Sequence, residues 1–244
     1  MTIVQYLLEN GAHVNEEGRE YGNPLQAASS QGHSNIVQLL LNYGADVNAQ
    51  GGLYGNAFQA ASSQGHLNVV HLLYQHGADI NAQGGQYGNA LQAASFKNHE
   101  NIVQLLLEHG ADINAKGGLY GNALQAASHN GHETIVQLLL ENRADMNAQG
   151  GFYGNALQAA SSQGHEDIAQ LLLEKGADVN MQGEDYGSAL QAASSKGHTE
   201  TVQILLENGA DVNMQGGAYG TALQAASSQG HEDNVQLLLE KGAE

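Results

Sequence analysis

Twelve histidines and 25 carboxylates give this chain the raw material for metal binding or acid–base chemistry. His66, His71 and His76 form its densest imidazole cluster, and imidazole is a common zinc ligand. Gaps of five residues do not keep side chains on one helical face, so the three imidazoles are poorly placed to converge. His33, His66, His99, His132, His165, His198 and His231 recur every 33 residues. A long row of this kind is unlike the convergent set a metal needs, and it reads as hydrogen bonding between helices. Asp79, Asp112 and Asp145 also recur at one position and suit turn formation better than an acid–base pair. No lysine precedes Ser or Thr, so there is no P-loop. The His-Glu dipeptides never extend to H-E-x-x-H, and G-x-S-x-G is absent. The expectation is therefore no catalysis, no metal and no cofactor.

The spacing that weakens these sites points to an architecture. Tyr21, Tyr54, Tyr87, Tyr120, Tyr153, Tyr186 and Tyr219 are each 33 residues apart, and a fixed period of this size marks stacked supersecondary units. In the unit Tyr54–Gln86, Asn56 precedes "AFQAASSQ" and can cap a helix start. Asn23, Asn89, Asn122, Asn155, Ser188 and Thr221 fill the same slot. Gly65 suits the end of that first helix, and "NVVHLLYQHG" has the apolar spacing of a second. Helices of about eight and ten residues are too short to stand alone, so stacking must stabilise them. "ADVNAQGG" then reverses the chain, and the repeated Ala60-Ala61 pair allows close helix approach. The units run 21–53, 54–86, 87–119, 120–152, 153–185 and 186–218, with a half unit at 1–20 and a shortened unit at 219–244, as one repeat domain over 1–244.

Composition narrows the partners. The net charge is −18, which disfavours nucleic acid and anionic membrane surfaces. There is no cysteine, hence no disulfide framework or thiolate zinc site. The start "MTIVQYLLEN" lacks a basic n-region, and no stretch reaches the ~20 apolar residues of a membrane helix. These features suit an intracellular, cytoplasmic chain.

"GHSNIVQLLLNYGADVN" (Gly32 to Asn48) resembles the second half of an ankyrin repeat, and the pattern recurs over essentially the whole chain. The resemblance implies an all-α ankyrin-repeat solenoid of helix-turn-helix units with projecting hairpin-like loops. The first half departs from the family pattern: "NALQ" replaces the usual T-P-L-H, only Pro24 keeps the proline, and Tyr54 and its equivalents replace a loop glycine. This "GGxYGNALQAA" variant resembles fungal arrays attached to NACHT-type signalling proteins. The resemblance also implies that loop tips and first helices line a concave groove that binds a protein or peptide. It further allows hydroxylation of the turn asparagines Asn48, Asn81 and Asn114, which otherwise read as turn formers.

Two slots on that groove vary between units. One follows the glycine pair (Glu20, Leu53, Gln86, Leu119, Phe152, Asp185, Ala218), and the other ends the first helix, where Phe96 and His129 replace serine. Solvent-facing Phe96, Leu119 and Phe152 would form an apolar patch, with Leu53, Gln86, Lys97, His129 and Asn130 adding contacts. A passive spacer array is the alternative function. The invariant tyrosines read as a spine, each ring beside the glycine pair and the next helix start. Asn98 and Arg143 stand where glycine is usual and need left-handed backbone. At the ends, Ile3, Val4 and Leu7 would lack part of their cover, which allows self-association there. Asn234, in the slot of Ile102 and Ile135, reads as a polar change suited to a terminal unit.

Overall fold

The structure, a computed structural model, describes residues 3–18, 21–183 and 186–244. Glu20 and Asp185 of the variable loop slot lie outside the described residues. By packing, the chain divides into two compact units, 1–119 and 120–244. The division falls just before Tyr120, at a repeat boundary.

The first unit holds α1 (Ile3–Glu9), α2 (Pro24–Ser30), α3 (Ser34–Asn42), α4 (Ala57–Ser63), α5 (Leu67–Gln75), α6 (Ala90–Phe96) and α7 (Glu100–Glu108). The second holds α8 (Ala123–His129), α9 (Glu133–Glu141), α10 (Ala156–Gln163), α11 (Glu166–Glu174), α12 (Ala189–Lys196), α13 (Thr199–Glu207), α14 (Ala222–Gln229) and α15 (Glu232–Glu240). Among the described residues, extended pairing is confined to isolated bridges, such as Gly51 with Gly55 and Gly150 with Gly154, which close the loops.

Each first helix begins where the sequence places its cap. Asn56 accepts from the Gln59 amide, and Asn23, Asn89, Asn122, Asn155, Ser188 and Thr221 do the same in their repeats. Satisfying a free helix-start amide in this way is worth about 1 kcal/mol. Glu100, Glu133, Glu166 and Asp167 stand in the first turns of second helices, where carboxylates complement the dipole. The second helices bury one face only. In α7, Ile102, Val103 and Leu106 are buried, whereas Gln104 is exposed.

Within the first unit α2 packs on α4, α4 on α6, α3 on α5 and α5 on α7; within the second, α8, α10, α12 and α14 form one row and α9, α11, α13 and α15 another. Ala60 and Ala61 are wholly buried, as are Ala93, Ala94, Ala159 and Ala160. Phe58, Leu91, Leu124 and Leu157 fill the core beside them. Each buried leucine contributes roughly 2 kcal/mol relative to exposure. Asn98 and Arg143 adopt φ of 62° and 67°, so both take the left-handed backbone expected of them.

Asn234, the polar change in the last repeat, is 0% exposed on α15, with Nδ2 3.5 Å from the Ser194 carbonyl and Oδ1 buried without a partner. The helix periodicity that places Ile102 and Ile135 in the core carries this polar residue in with them.

Candidate functional site

The loops and first helices are held together by a residue whose role the sequence reading missed. Gln26 is 2% exposed. Its Oε1 accepts from Asn23 N at 2.7 Å, and its Nε2 donates to the carbonyls of Ala49, Gly51 and Gly55 in the next loop at 3.1 to 3.2 Å. Gln59 reaches Ala82 and Gly88 in the same way. Gln125 reaches Ala148, Gly150 and Gly154. The identical Gln in every "LQAA" was the available signal, since a polar residue repeated inside an apolar run must satisfy buried partners. Gly52 fits the same seam. At φ 61° a Cβ there would stand 2.6 Å from the Gly22 amide nitrogen.

The histidine row also bridges repeats. The Nε2 of His66 donates to the Ser30 carbonyl at 3.1 Å, and that of His165 to the His129 carbonyl at 3.0 Å. A carbonyl only accepts, so Nε2 carries the proton. The His76 ring faces the Leu72 carbonyl through Nδ1 and lies 3.4 Å from Gln38 through Nε2. His66, His76 and His165 thus each have their own local partner. Among the described residues no group of His, Asp and Glu is placed to hold a metal. In the second unit, burial lowers the proton affinity of His198. The Ser162 carbonyl bond opposes that effect, and His165, His231 and Lys196 add to it.

The turn asparagines do a third job. Asn48 donates to the Gly77 carbonyl at 3.1 Å and accepts from the Asp79 amide at 2.8 Å. Asn81 links to Gly110 and Asp112 alike. The Asn114 amide rests on Asp112 at 3.0 Å. Asp79 and Asp112 thus serve the turns.

The tyrosines form contacts beyond those expected. A Cβ on Gly52 or Gly151 would strike the backbone of Tyr21 or Tyr120, so these glycines lie against the tyrosine of the preceding repeat. In the second unit the rings stack on each other, Tyr120 on Tyr153 at 6.3 Å and Tyr153 on Tyr186 at 5.9 Å. His129 is stacked on Tyr153 at 4.4 Å and lies 5.2 Å from Tyr120. Burial, with repulsion from His165, lowers its proton affinity. Burial also raises the Tyr153 hydroxyl above its ordinary value, with Tyr186 and Tyr120 adding to the shift. In the first unit Gln64 donates to the Tyr54 hydroxyl at 3.2 Å.

The expected patch residues fall in two units. Leu53, Gln86, Phe96, Lys97 and Leu119 belong to the first, and His129, Asn130 and Phe152 to the second. Leu53 is 48% exposed, Leu119 59% and Phe152 47%. Gln86 and Lys97 are exposed too. Phe96 is not solvent-facing: it is half-buried, with its ring 5.4 Å from Tyr87, because an aromatic at the helix end lies against the neighbouring loop tyrosine. His129 is half-buried in the ring stack, and Asn130 turns back to the Ala126 carbonyl at 2.9 Å. Phe152 stands edge-on to Tyr153 at 5.1 Å and to Tyr186 at 5.9 Å.

Known proteins give this geometry a family. The family model described as ankyrin repeats (3 copies) matches residues 1–51, 51–117, 117–183 and 157–244. The fold is similar to the crystal structure of the human ASB11 ankyrin repeat domain, with a TM-score of 0.75 and 24% identity over 91% of this chain and 99% of that one. No curated protein gives a significant match. Family-model matches spanning the sequence, on helix pairs stacked in all-α ankyrin-repeat fashion, show that the chain belongs to the ankyrin-repeat family.

Proposed function

We propose that this chain is a non-catalytic interaction module whose loop tips and first helices, the concave side in the family's usual arrangement, bind a protein or peptide. Ankyrin repeats are general protein–protein interaction modules, and the family is typically non-catalytic. The observation that carries the proposal is the exposure of Leu53, Leu119 and Phe152 at one loop position. The same slot holds Gln86 and Ala218 in other repeats, so the fold does not require an apolar side chain there. Exposed apolar groups on otherwise polar tips are characteristic of recognition surfaces.

The contact set is Leu53, Gln86, Phe96, Lys97 and Leu119 in the first unit and His129, Asn130 and Phe152 in the second. Among the described residues no helix is long and apolar enough to cross a membrane, and the acidic charge favours a protein partner over nucleic acid. We place the module in the cytoplasm, as a single array of the fungal, NACHT-associated kind on the strength of its "GGxYGNALQAA" loops. The exposed Ile3 and Leu7 of α1 offer a surface for self-association.

Affinity capture from source-cell lysate tests the proposal, comparing the natural chain with a Leu119→Ser, Phe152→Ser variant of equal melting temperature. A protein retained by the natural chain and lost by the variant supports it. Equal retention by both removes these residues from the interface. Absence of any specific retention favours the passive spacer.

A further inference from the structure

The charges of this protein are not spread evenly over its repeats. In the first unit the described carboxylates lie on second-type helices (Glu9, Glu100, Glu108), on the turns (Asp46, Asp79, Asp112) and at Glu16 and Glu17. None lies on α2, α4 or α6, or on the loop tips 51–55, 84–88 and 117–119. The cation at the end of α6 is Lys97, which is exposed and holds Nζ 5.2 Å from the Phe96 ring centre, and a second exposed lysine, Lys116, flanks the tip 117–119. Among the described residues the Lys97 ammonium has no carboxylate partner. Around it, Phe96 leans on Tyr87 at 5.4 Å. Successive tips are joined by the Gln86 amide donating to the Leu53 carbonyl at 3.2 Å, and Leu53 and Leu119 remain open to solvent.

The second unit repeats the chemistry. Lys196 occupies the repeat slot of Lys97 and places Nζ 5.8 Å from the Tyr186 ring centre, beside the half-exposed Phe152. The end of the first helix thus twice combines an ammonium with paired aromatic rings, on an otherwise strongly acidic protein.

From this arrangement we infer that the surface formed by the α6 end (Phe96, Lys97) and the neighbouring loop tips of the first unit receives an acidic–apolar peptide segment. Its carboxylate is set against Lys97, and the neighbouring aromatic or aliphatic side chain lies over Phe96, Tyr87 and Leu119. The inference rests on the interaction role proposed above and names its partner class. A ligand that covers Lys97 with neutral groups leaves an ammonium deprived of water and without a counter-charge, which is costly. A basic segment brings like charge to the same spot, while the carboxylates that would attract it lie on the second helices and turns. A carboxylate beside an apolar group satisfies both features of the surface.

The probes are three capped ten-residue peptides of Gly and Ser with a central Phe-Asp, Phe-Asn or Phe-Lys pair. Each is titrated into the isotope-labelled full chain while backbone amide shifts are followed. The Phe-Asp peptide is expected to shift the amides of Phe96, Lys97 and Leu119 and to bind about two- to fivefold more tightly than Phe-Asn, the range for an exposed ion pair. Lys97→Gln is expected to erase that preference while leaving Phe-Asn binding intact, a readout that a folding defect would not produce. Equal binding of Phe-Asp and Phe-Asn, or tighter binding of Phe-Lys, at the same amides overturns the acidic preference and leaves the docking face standing. Failure of all three peptides to shift those amides overturns both.

Discussion

Replacing Asn234 by isoleucine should stabilise the protein, although it removes the one hydrogen bond that residue donates. The amide is 0% exposed. Its Nδ2 bond to Ser194 is long at 3.5 Å, and its Oδ1 has no partner. An unsatisfied buried carbonyl costs about 1–3 kcal/mol, and burying an aliphatic side chain in its place gains roughly 2 kcal/mol. Enlarging the side chain costs about 1–3 kcal/mol where the site must adjust. That cost is at the low end here, because the equivalent slot holds fully buried Ile135 and Ile168 in the same unit. The net gain is about 2 kcal/mol, confined to the repeat containing α15. Native-state amide exchange reads it directly. Amides of α15 should exchange about thirtyfold more slowly in Asn234→Ile, with those of α9 unchanged. Unchanged or faster exchange in α15, with the helix intact, would refute the reasoning and show that the carboxamide is satisfied.

Three further perturbations follow from the same contacts. Gln125→Leu removes the donor shared by the Ala148, Gly150 and Gly154 carbonyls and should destabilise that repeat by about 2 kcal/mol or more, seen as a lower urea midpoint. Arg143→Gly relieves the left-handed backbone at φ 67° and should raise the melting temperature by the equivalent of about 1 kcal/mol. Burial lowers the proton affinity of His198 in the folded state, so the unfolded chain binds the proton at higher pH. Stability from this group is present above the ordinary histidine value of 6.5 and is lost as pH falls below it. The urea midpoint should therefore drop on acidification, and by less in His198→Gln.

Much of the fold was legible because it is written in repeated local signals. The caps Asn23 to Thr221, the glycines and the apolar spacing each act within a few residues, and the helices begin and end where they indicate. Asn98 and Arg143 were legible for the same reason, since the glycine slot fixes their backbone. Contacts between repeats were harder to read. The role of Gln26 and its equivalents depends on carbonyls 23 to 29 residues away: the repeated Gln signals a buried partner but does not say which carbonyls supply it. The tyrosine rings were expected beside glycines, and the stacking of aromatic faces in successive repeats of the second unit was not foreseen. Phe96 was misplaced because the exposure of a ring at a helix end depends on the loop beside it. The tips Leu53, Leu119 and Phe152 stood out by their variation, and all three are exposed.

Site-specific photo-crosslinking in source-cell lysate tests the central claim most directly. A photoreactive phenylalanine analogue is placed singly at Leu53, Gln86, Leu119 or Phe152 on the loop tips, and at the exposed Gln104 or Gln137 on second helices. The account predicts that one and the same protein is crosslinked from tip positions and not from Gln104 or Gln137. Crosslinking of that protein from the second helices alone would contradict it.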